Sequence, residues 1–332
     1  MRVRKNPFTT PLYERHWIKN FCRQKKKYSF DILTGISFTK IRLLPLFINI
    51  GLYKSFGMSY SIETSVTKSD FKKKVFIIYD VPEYFEINNK NEILSIKKIS
   101  QYEGFLIDLS QYSSINEYIY DMFSSRRRKS LLLGLKKLEK NNTINYKWFH
   151  GKIERNEYSR IFKQFYDFID IKFKQQSNSH SSARIKEWYE PLFFDLINKK
   201  QGSFFVIENN EEPIAISFNY HSENIFFAAI PSYDLKYMKY GIGNIQTLKE
   251  IEWSIQQKYE GHDLGKGSYG YKHRWSRNKY NYEYHIIYDK KSIRSIILGK
   301  AIVAWFILKQ FIRKIYHSLR SIIFEKKGII IS

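Results

Sequence analysis

A glycine-rich loop that leads into an aromatic and basic cluster sets tight limits on how this chain folds. It occupies residues 261–275, GHDLGKGSYGYKHRW. The three glycines after Asp263, namely Gly265, Gly267 and Gly270, let the backbone approach a bound group closely. Lys272 and Arg274 can meet negative charge that is present or that develops during a reaction. A flexible basic turn would have the same composition in so lysine-rich a chain, so the loop alone leaves both interpretations open.

A second glycine turn precedes this loop and stands between a predicted strand and a predicted helix. Residues 224–230 (NIFFAAI) form an apolar run typical of a buried strand. From Asn244, which we expect to cap the helix, apolar residues recur every three or four positions. A glycine turn at a helix start exposes N–H groups at the positive end of the helix dipole, so it suits a pyrophosphate. The predicted cofactor-binding residues are Tyr240, Gly241, Ile242, Gly243 and Asn244.

These two segments resemble the C-terminal signature of the CelD-like acyltransferases, which have the GNAT (Gcn5-related N-acetyltransferase) fold and accompany cellulose and other exopolysaccharide synthesis. The residues that match the signature are Tyr240, Gly243 and Ile245 in its first element and, without a gap, Asp263, Gly265, Gly267, Tyr271, Lys272 and Trp275 in its second. Weaker likeness extends over about residues 114–288. Met238 stands where GNAT enzymes carry Gln or Arg, which puts a side-chain contact to the pyrophosphate in doubt and leaves the backbone contacts.

The resemblance implies an α+β chain with the GNAT fold, built as a tandem of two GNAT-like halves. The expected divisions are residues 1–112 for a degenerate GNAT-like half, 113–290 for the acyltransferase domain and 291–332 for a basic amphipathic helix. It also implies acetyl-CoA or another acyl-CoA as co-substrate, without a metal.

Acyl transfer from a thioester passes through an oxyanion and needs donors to that oxygen, a proton acceptor and a group that protonates the departing thiolate. We expect Lys272 to act at the oxyanion or at a phosphate. Asp263 or His262 could orient or deprotonate the acceptor. The alternatives are a structural role for Asp263, capping the loop or pairing with a nearby cation, and a partly exposed strand-end position for His262. Tyr271 or Tyr269 could protonate the thiolate.

Composition narrows the classes of partner. Twenty-six Tyr and 26 Phe in 332 residues exclude a largely disordered chain. A net charge of +24 favours anionic partners. Biased codon supply explains this charge equally well, because Lys, Asn, Ile, Phe and Tyr are abundant together. No zinc ligand set or recognition-helix pattern is present, so nucleic acid is not an expected partner. A lone Cys22 and the lack of an apolar segment after the basic N-terminus predict a reducing compartment and no secretory signal.

Shorter patterns predict the remaining elements. Pro11 after Thr10 predicts a helix start, and Ser114 with Glu117 forms a capping box. Apolar runs predict strands at 41–50, 75–81 and 105–109, with a weakly patterned polar segment at 86–98. Further predictions are a helix at 156–176, a hairpin of strands 203–208 and 213–220, and a last strand at 282–288 that completes the mixed sheet of the second half.

The C-terminal tail has the pattern of a basic amphipathic helix. The residues on its apolar face are Ile297, Ala301, Leu308, Phe311, Ile315, Leu319 and Ile322. Its longest uncharged run, 301–308, is shorter than the roughly 20 residues that span a bilayer, so we expect the helix to lie on an anionic membrane surface. The alternative is a helix docked on its own domain or on a partner.

Together these features predict a cytoplasmic GNAT-type N-acetyltransferase on the inner face of the cell membrane. It would use an acyl-CoA to modify an amino sugar or other glycan precursor in surface polysaccharide biosynthesis. The first alternative is a FemABX-like enzyme that transfers an amino acid from aminoacyl-tRNA to a cell-wall precursor, which would make tRNA a partner. The second is a non-catalytic accessory subunit of a polysaccharide synthase.

Overall fold

The computed structural model describes residues 1–23, 26–63, 70–87, 92–175, 185–267 and 270–326. The helices in these ranges are α1 (Pro11–Phe21), α2 (Ile115–Met122), α3 (Ser125–Asn141), α4 (Arg155–Gln175), α5 (Lys186–Asn198), α6 (Ile242–Gln256), α7 (Lys272–Trp275) and α8 (Ile293–Lys326). The strands are β1 (Tyr28–Phe30), β2 (Leu33–Lys40), β3 (Leu46–Asn49), β4 (Ser61–Ile62), β5 (Val75–Pro82), β6 (Leu94–Asp108), β7 (Ile144–Phe149), β8 (Gly202–Asn209), β9 (Glu212–His221), β10 (Ile225–Tyr233), β11 (Gly261–Lys266) and β12 (Asn278–Asp289).

The described strands form one mixed sheet of 12 strands. Its order is β1-β2-β3-β5-β12-β6-β11-β10-β9-β8-β7, and β4 pairs with β2 outside this path. The pairs β3–β5 and β10–β11 are parallel, and the other described pairs are antiparallel. The first and second halves of the chain meet where β6 pairs with β11, with Asp108 opposite Gly261.

Helices cover both faces of the second half of the sheet. On one face α1, α4 and α5 bury an aromatic core, in which the ring of Phe193 stacks on that of Phe218 with centroids 3.4 Å apart. On the other face α3 and α6 pack against Phe205 and Ala215. Residues next to these two in sequence face the first core. This alternation is the period-two pattern of a strand buried on both sides.

Several local predictions are confirmed. Helix α1 begins at Pro11 after Thr10, whose hydroxyl accepts a hydrogen bond from the Tyr13 amide at 3.3 Å. Helix α2 begins after Ser114, whose hydroxyl accepts from the Glu117 amide, also at 3.3 Å. The hairpin of β8 and β9 turns at residues 210 and 211, both with positive φ.

Other predictions differ from the structure. Helix α6 begins at Ile242 with Gly241 at its N-cap, so Asn244 lies in the first turn and is not the cap. Strand β12 does not complete the sheet of the second half, because it lies between β5 and β6. Strand β6 begins at Leu94, within the segment that reads as polar and weakly patterned, and β3 covers only the last part of the run 41–50.

Helix α8 lies along the first half of the sheet. Phe306 is buried against Tyr79 and Tyr284, and the Arg313 guanidinium donates to the Gln101 carbonyl at 3.0 Å. Its segment Ile293–Tyr316 has 24 residues and contains an 18-residue window with mean hydropathy 1.7, so by length and composition it could cross a membrane. The uncharged run 301–308 is thus part of a longer apolar segment, and the position of the helix on a membrane surface stays a prediction.

Candidate functional site

The two parallel strands of the second half separate and leave an opening in the sheet. Strands β10 and β11 pair over three residues, the last pair being Phe227 with Asp263. Beyond this point β11 continues beside β6, while β10 follows β9 with a bulge at Ala229. A bulge bends its strand and leaves one residue unpaired in the ladder. Beyond Phe227 and Asp263 the two strands therefore share no backbone ladder.

A cavity of about 310 Å³ occupies this opening. Its walls include Ala228 and Pro231 from β10 and Leu264 from β11, and the first turn of α6 closes one end. Lys172 of α4 and Arg274 of α7 also line it. The cavity is thus a slot between two strand ends, and both backbone and side chains form its walls.

The predicted pyrophosphate turn lies at the mouth of this cavity. Gly241 has φ of +73°, a left-handed conformation that strains other residues, and its carbonyl accepts from the amides of Asn244 and Ile245. The amides of Ile242 and Gly243 come before these first intrahelical donors, so they can bind an anion. Gly241, Ile242, Gly243 and Asn244 all line the cavity, as the sequence predicts for a ligand-binding turn.

A basic groove of about 660 Å³ adjoins the cavity between α3 and the start of α6. The groove and the cavity share Gly241, Asn244 and Arg274 in their walls. Tyr240 lines the groove but not the cavity. The cationic residues of the groove are Arg126, Arg127, Lys137, Lys239 and Arg274. In the described part of the chain none of these five forms a salt bridge with a carboxylate. Burial and then the like charge of Arg274 lower the pKa of Arg127, as expected for a cation pair without a counterion.

Asp263 lies at the seam between the two halves and does not line the cavity among the described residues. Its carboxylate accepts hydrogen bonds from the hydroxyls of Tyr84 and Tyr280, each at 2.7 Å, and from the Gly265 amide at 2.7 Å. Burial raises the pKa of Asp263 to about 6, and these hydrogen bonds oppose the rise. This geometry matches the structural alternative, a carboxylate that caps the glycine loop, and the catalytic role of Asp263 stays a prediction.

Lys272 is buried at the start of α7 and holds the same loop from the other side. Its Nζ donates to the carbonyl oxygens of Gly265 at 3.0 Å and Lys266 at 2.7 Å. Burial lowers the pKa of Lys272 to about 8, while the charge of Asp263 opposes the shift. The ammonium therefore orders the glycine loop, and its predicted action at an oxyanion or phosphate remains untested.

The other two predicted catalytic residues lie in different surroundings. His262 is fully buried, so its predicted alternative as a partly exposed residue is wrong. Its ring stacks on Phe226 and its Nδ1 lies 2.9 Å from the Ser254 hydroxyl, while burial lowers its pKa to about 3. Tyr271 lines the cavity. Tyr269, the alternative proton donor, lies outside the described residues.

The sequence interpretation missed a polar floor in the cavity, formed by Ser217, Asn219, Gln246 and Glu250. The signal was present in two patterns. Ser217 and Asn219 interrupt the apolar run of β9 on alternate positions, so they share one face of the strand. Gln246 and Glu250 are four apart on α6, and both are buried among apolar neighbours.

Comparisons with known proteins support the fold in which this cavity lies. The family model described as acetyltransferase (GNAT) domain matches residues 125–273, from the start of α3 into α7. Among curated proteins no sequence matches the chain. The structure is similar to that of FemX, with 8% identity over 84% of this chain and 91% of that chain and a TM-score of 0.55. It is also similar to a conserved protein of unknown function from Bacteroides thetaiotaomicron, with 10% identity over 86% and 92% and a TM-score of 0.53.

These findings confirm the predicted fold class and the predicted type of enzyme. The chain is an α+β protein with the GNAT fold, and its matched domain is that of an acyltransferase. Because the two solved structures share 10% and 8% sequence identity with this chain, their similarity shows the fold alone. They extend the likeness over most of the chain, including the first half. Among the described residues no group of three or more His, Cys, Asp or Glu side chains could hold a metal ion.

Proposed function

We propose that this GNAT acyltransferase takes an acyl group from acetyl-CoA or a related acyl-CoA and transfers it to an amino sugar or other glycan precursor of a surface polysaccharide. The observation that carries the proposal is the continuity of the slot between β10 and β11 with the basic groove at Gly241, Asn244 and Arg274. A coenzyme A thioester has an uncharged arm at one end and phosphates at the other. The slot suits the arm, and the groove suits the phosphates.

The slot also supplies part of what the reaction needs. An acyl transfer develops negative charge on the carbonyl oxygen, which backbone N–H groups stabilise when they are fixed in place before the reaction. Ala229 lies outside the regular ladder with β9 and lines the cavity, so its amide is our proposed donor to that oxygen. Tyr271, which also lines it, stays our proposed proton donor to the departing thiolate.

Calorimetry with acetyl-CoA tests the proposal. Arg127→Ala and Arg274→Ala should each weaken acetyl-CoA binding by about 10- to 100-fold, because each removes a charge-assisted contact to phosphate worth about 1.5–3 kcal/mol. Lys129→Ala is the matched control, since Lys129 is an exposed cation of α3 outside the groove lining. Binding that is equally strong in all three variants would contradict the assignment of the phosphates to this groove.

One specific observation favours a second candidate. The fold is similar to that of FemX over most of both chains, and a groove with five cations could bind the end of a nucleic acid as well as a nucleotide. The alternative is therefore a FemABX-like transfer of an amino acid from aminoacyl-tRNA to a cell-wall precursor. Binding of tRNA without binding of acetyl-CoA in the same calorimeter would decide for it.

We also propose that the chain works at the inner face of the cell membrane, with α8 lying in the plane of the bilayer surface. The exposed side of α8 carries large apolar residues, namely Ile297, Trp305, Leu308, Phe311, Ile312 and Tyr316. The other side stays on the sheet through Phe306 and Arg313. A spanning orientation would break these contacts, whereas an in-plane orientation keeps them and places lysines near anionic headgroups.

Co-sedimentation with vesicles tests this placement. Phe311→Glu should reduce binding to anionic phosphatidylglycerol vesicles several-fold without loss of stability, because Phe311 is exposed. Leu43→Glu is the control, since Leu43 is an exposed apolar residue in the loop between β2 and β3 and does not belong to α8. If neither change affects sedimentation, α8 does not bind the membrane through this face.

A further inference from the structure

The floor of the cavity concentrates buried polar groups in a way that packing does not require. Glu250 is 4% exposed and Gln246 is 1% exposed, one turn apart on α6. The Ser217 hydroxyl donates to Oε1 of Glu250, and Nδ2 of Asn219 donates to the same oxygen at 3.3 Å. All four residues also line the cavity. The fold therefore places a carboxylate and two amides at the inner end of the slot.

Several of these groups lack hydrogen-bond partners within the described part of the chain. They are Oδ1 of Asn219 and both side-chain polar atoms of Gln246. A buried polar group without a partner costs about 1–3 kcal/mol. Native proteins rarely keep such groups unless a water or a ligand satisfies them. Three of them beside a buried carboxylate on one cavity wall indicate a binding site for a polar ligand.

We propose that this floor binds the acceptor as a primary amine, and that Glu250 accepts the proton that the amine nitrogen loses when it attacks the thioester carbonyl. The proposal rests on the acyl-CoA function above and deepens it by assigning the residues of this chain that hold an amine acceptor and the one that takes its proton. An amine offers two or three N–H donors, and the floor presents oxygen acceptors on Glu250, Asn219 and Gln246. A hydroxyl offers one donor and would leave more of these groups unsatisfied.

The step balances without a further reactant. The C–N bond forms as the C–S bond breaks, and the proton of the nitrogen passes to Glu250. The departing thiolate takes up a proton, and Glu250 returns its proton to solvent before the next turnover. Amide and free thiol are the products.

The electrostatics of the floor fit a base that works near neutral pH. Burial raises the pKa of Glu250 to about 7, while the hydrogen bonds from Ser217 and Asn219 oppose the rise. A base whose pKa lies near the working pH combines a useful ionised fraction with a real affinity for the proton. Cations face the cavity from two other elements, Lys172 on α4 and Arg274 on α7, and burial lowers the pKa of Lys172. The rate should therefore rise with pH through the titration of Glu250.

The test compares Glu250→Gln with wild type, using acetyl-CoA and D-glucosamine as the amine probe and D-glucose as the hydroxyl probe. Thiol release and product mass are measured from pH 5.5 to 8.5. We expect transfer to glucosamine and not to glucose, and a fall in kcat/KM of about 10²–10⁴-fold in Glu250→Gln, whose remaining rise with pH should follow only the titration of the glucosamine amine. Glu252→Gln is the matched control, because Glu252 lies on the same helix, pairs with Lys249 and does not line the cavity.

Binding provides a second measurement that does not depend on turnover. Calorimetry on CoA-bound protein should show glucosamine binding that is weakened at least 10-fold in Glu250→Gln, with no binding of glucose. Equal glucosamine binding or equal turnover in Glu250→Gln, transfer to the hydroxyl probe, or no glucosamine binding at all would each overturn the inference. Failure of wild type to bind acetyl-CoA would instead refute the acyl-CoA function, so the two failures are distinguishable.

Discussion

Replacement of Gly134 by alanine should weaken acetyl-CoA binding, although this residue lies on α3 and outside the glycine turn. A methyl group built on Gly134 would meet the carbonyl oxygen of Tyr240 at 2.6 Å, and ordinary contact begins at 3.4 Å. The turn that carries Tyr240 and Gly241 must therefore move away from α3 or the helix must tilt. Either movement displaces the amides of Ile242 and Gly243 relative to the basic groove.

Two effects of opposite sign decide the stability of Gly134→Ala. Glycine in a helix interior costs about 1 kcal/mol relative to alanine, so propensity alone predicts stabilisation by that amount. Overpacking against a rigid backbone costs about 1–3 kcal/mol. Because the contact is with a backbone carbonyl and not with a flexible side chain, we expect overpacking to win and the net loss to reach about 2 kcal/mol.

Urea unfolding and acetyl-CoA calorimetry check both consequences. Lys136→Ala is the control, since Lys136 is exposed on the same helix and the change should alter stability by less than about 0.5 kcal/mol. A Gly134→Ala protein that is about 1 kcal/mol more stable than wild type, with unchanged acetyl-CoA affinity, would refute the argument. Such a result would mean that α3 and the glycine turn do not depend on close approach.

Two further predictions concern the seam beside the cavity. Asp263→Asn should flatten the dependence of stability on pH. Burial raises the folded-state pKa of Asp263 to about 6 from an ordinary 3.8, so the stability of wild type should fall by about 2 kcal/mol as pH rises from 4 to 6. The variant should not show this fall, and urea unfolding across the same range measures it. Lys272→Met should lower stability by about 1–3 kcal/mol and speed amide exchange at Gly267, because it leaves the carbonyls of Gly265 and Lys266 without their donor, whereas unchanged exchange would show that the loop is ordered by other contacts.

The parts of the fold that the sequence predicts correctly depend on neighbours along the chain. A cap such as Thr10 and a glycine turn such as residues 240–243 are set by a few adjacent residues, and the structure shows both. The position of β12 depends on pairing with β5 and β6. These partners are far away in sequence, since Tyr282 of β12 and Tyr102 of β6, which pair, lie more than 170 residues apart. Local periodicity contains no information about such partners, so the last strand was assigned to the nearest sheet.

The same distinction explains the site. The backbone turn at Gly241 is a local feature and was predicted. The polar floor requires β9 and α6 to face each other, with Glu250 reaching Ser217 across 33 residues, and only the fold brings them together. The motif predicts Lys272 and Asp263 as catalytic residues. In the structure the side chains of both form hydrogen bonds to the backbone of the glycine loop. The motif therefore identified residues in and beside the cavity, and the packing distinguished residues that face the cavity from residues that hold its walls.

The seam also gives the first half of the chain a part in the site. Strands β10 and β11 can separate after Asp263 because β11 has another partner, β6, which pairs with it from Gly261 onward. Tyr84 of the first half binds the Asp263 carboxylate at the point where the strands part. Without β6, one edge of β11 would be unpaired, and its end beyond Asp263 would lose the strand along which it runs away from β10. The first half therefore supports one wall of the slot, and a division at residue 112 separates two stretches of sequence without separating two independent sheets.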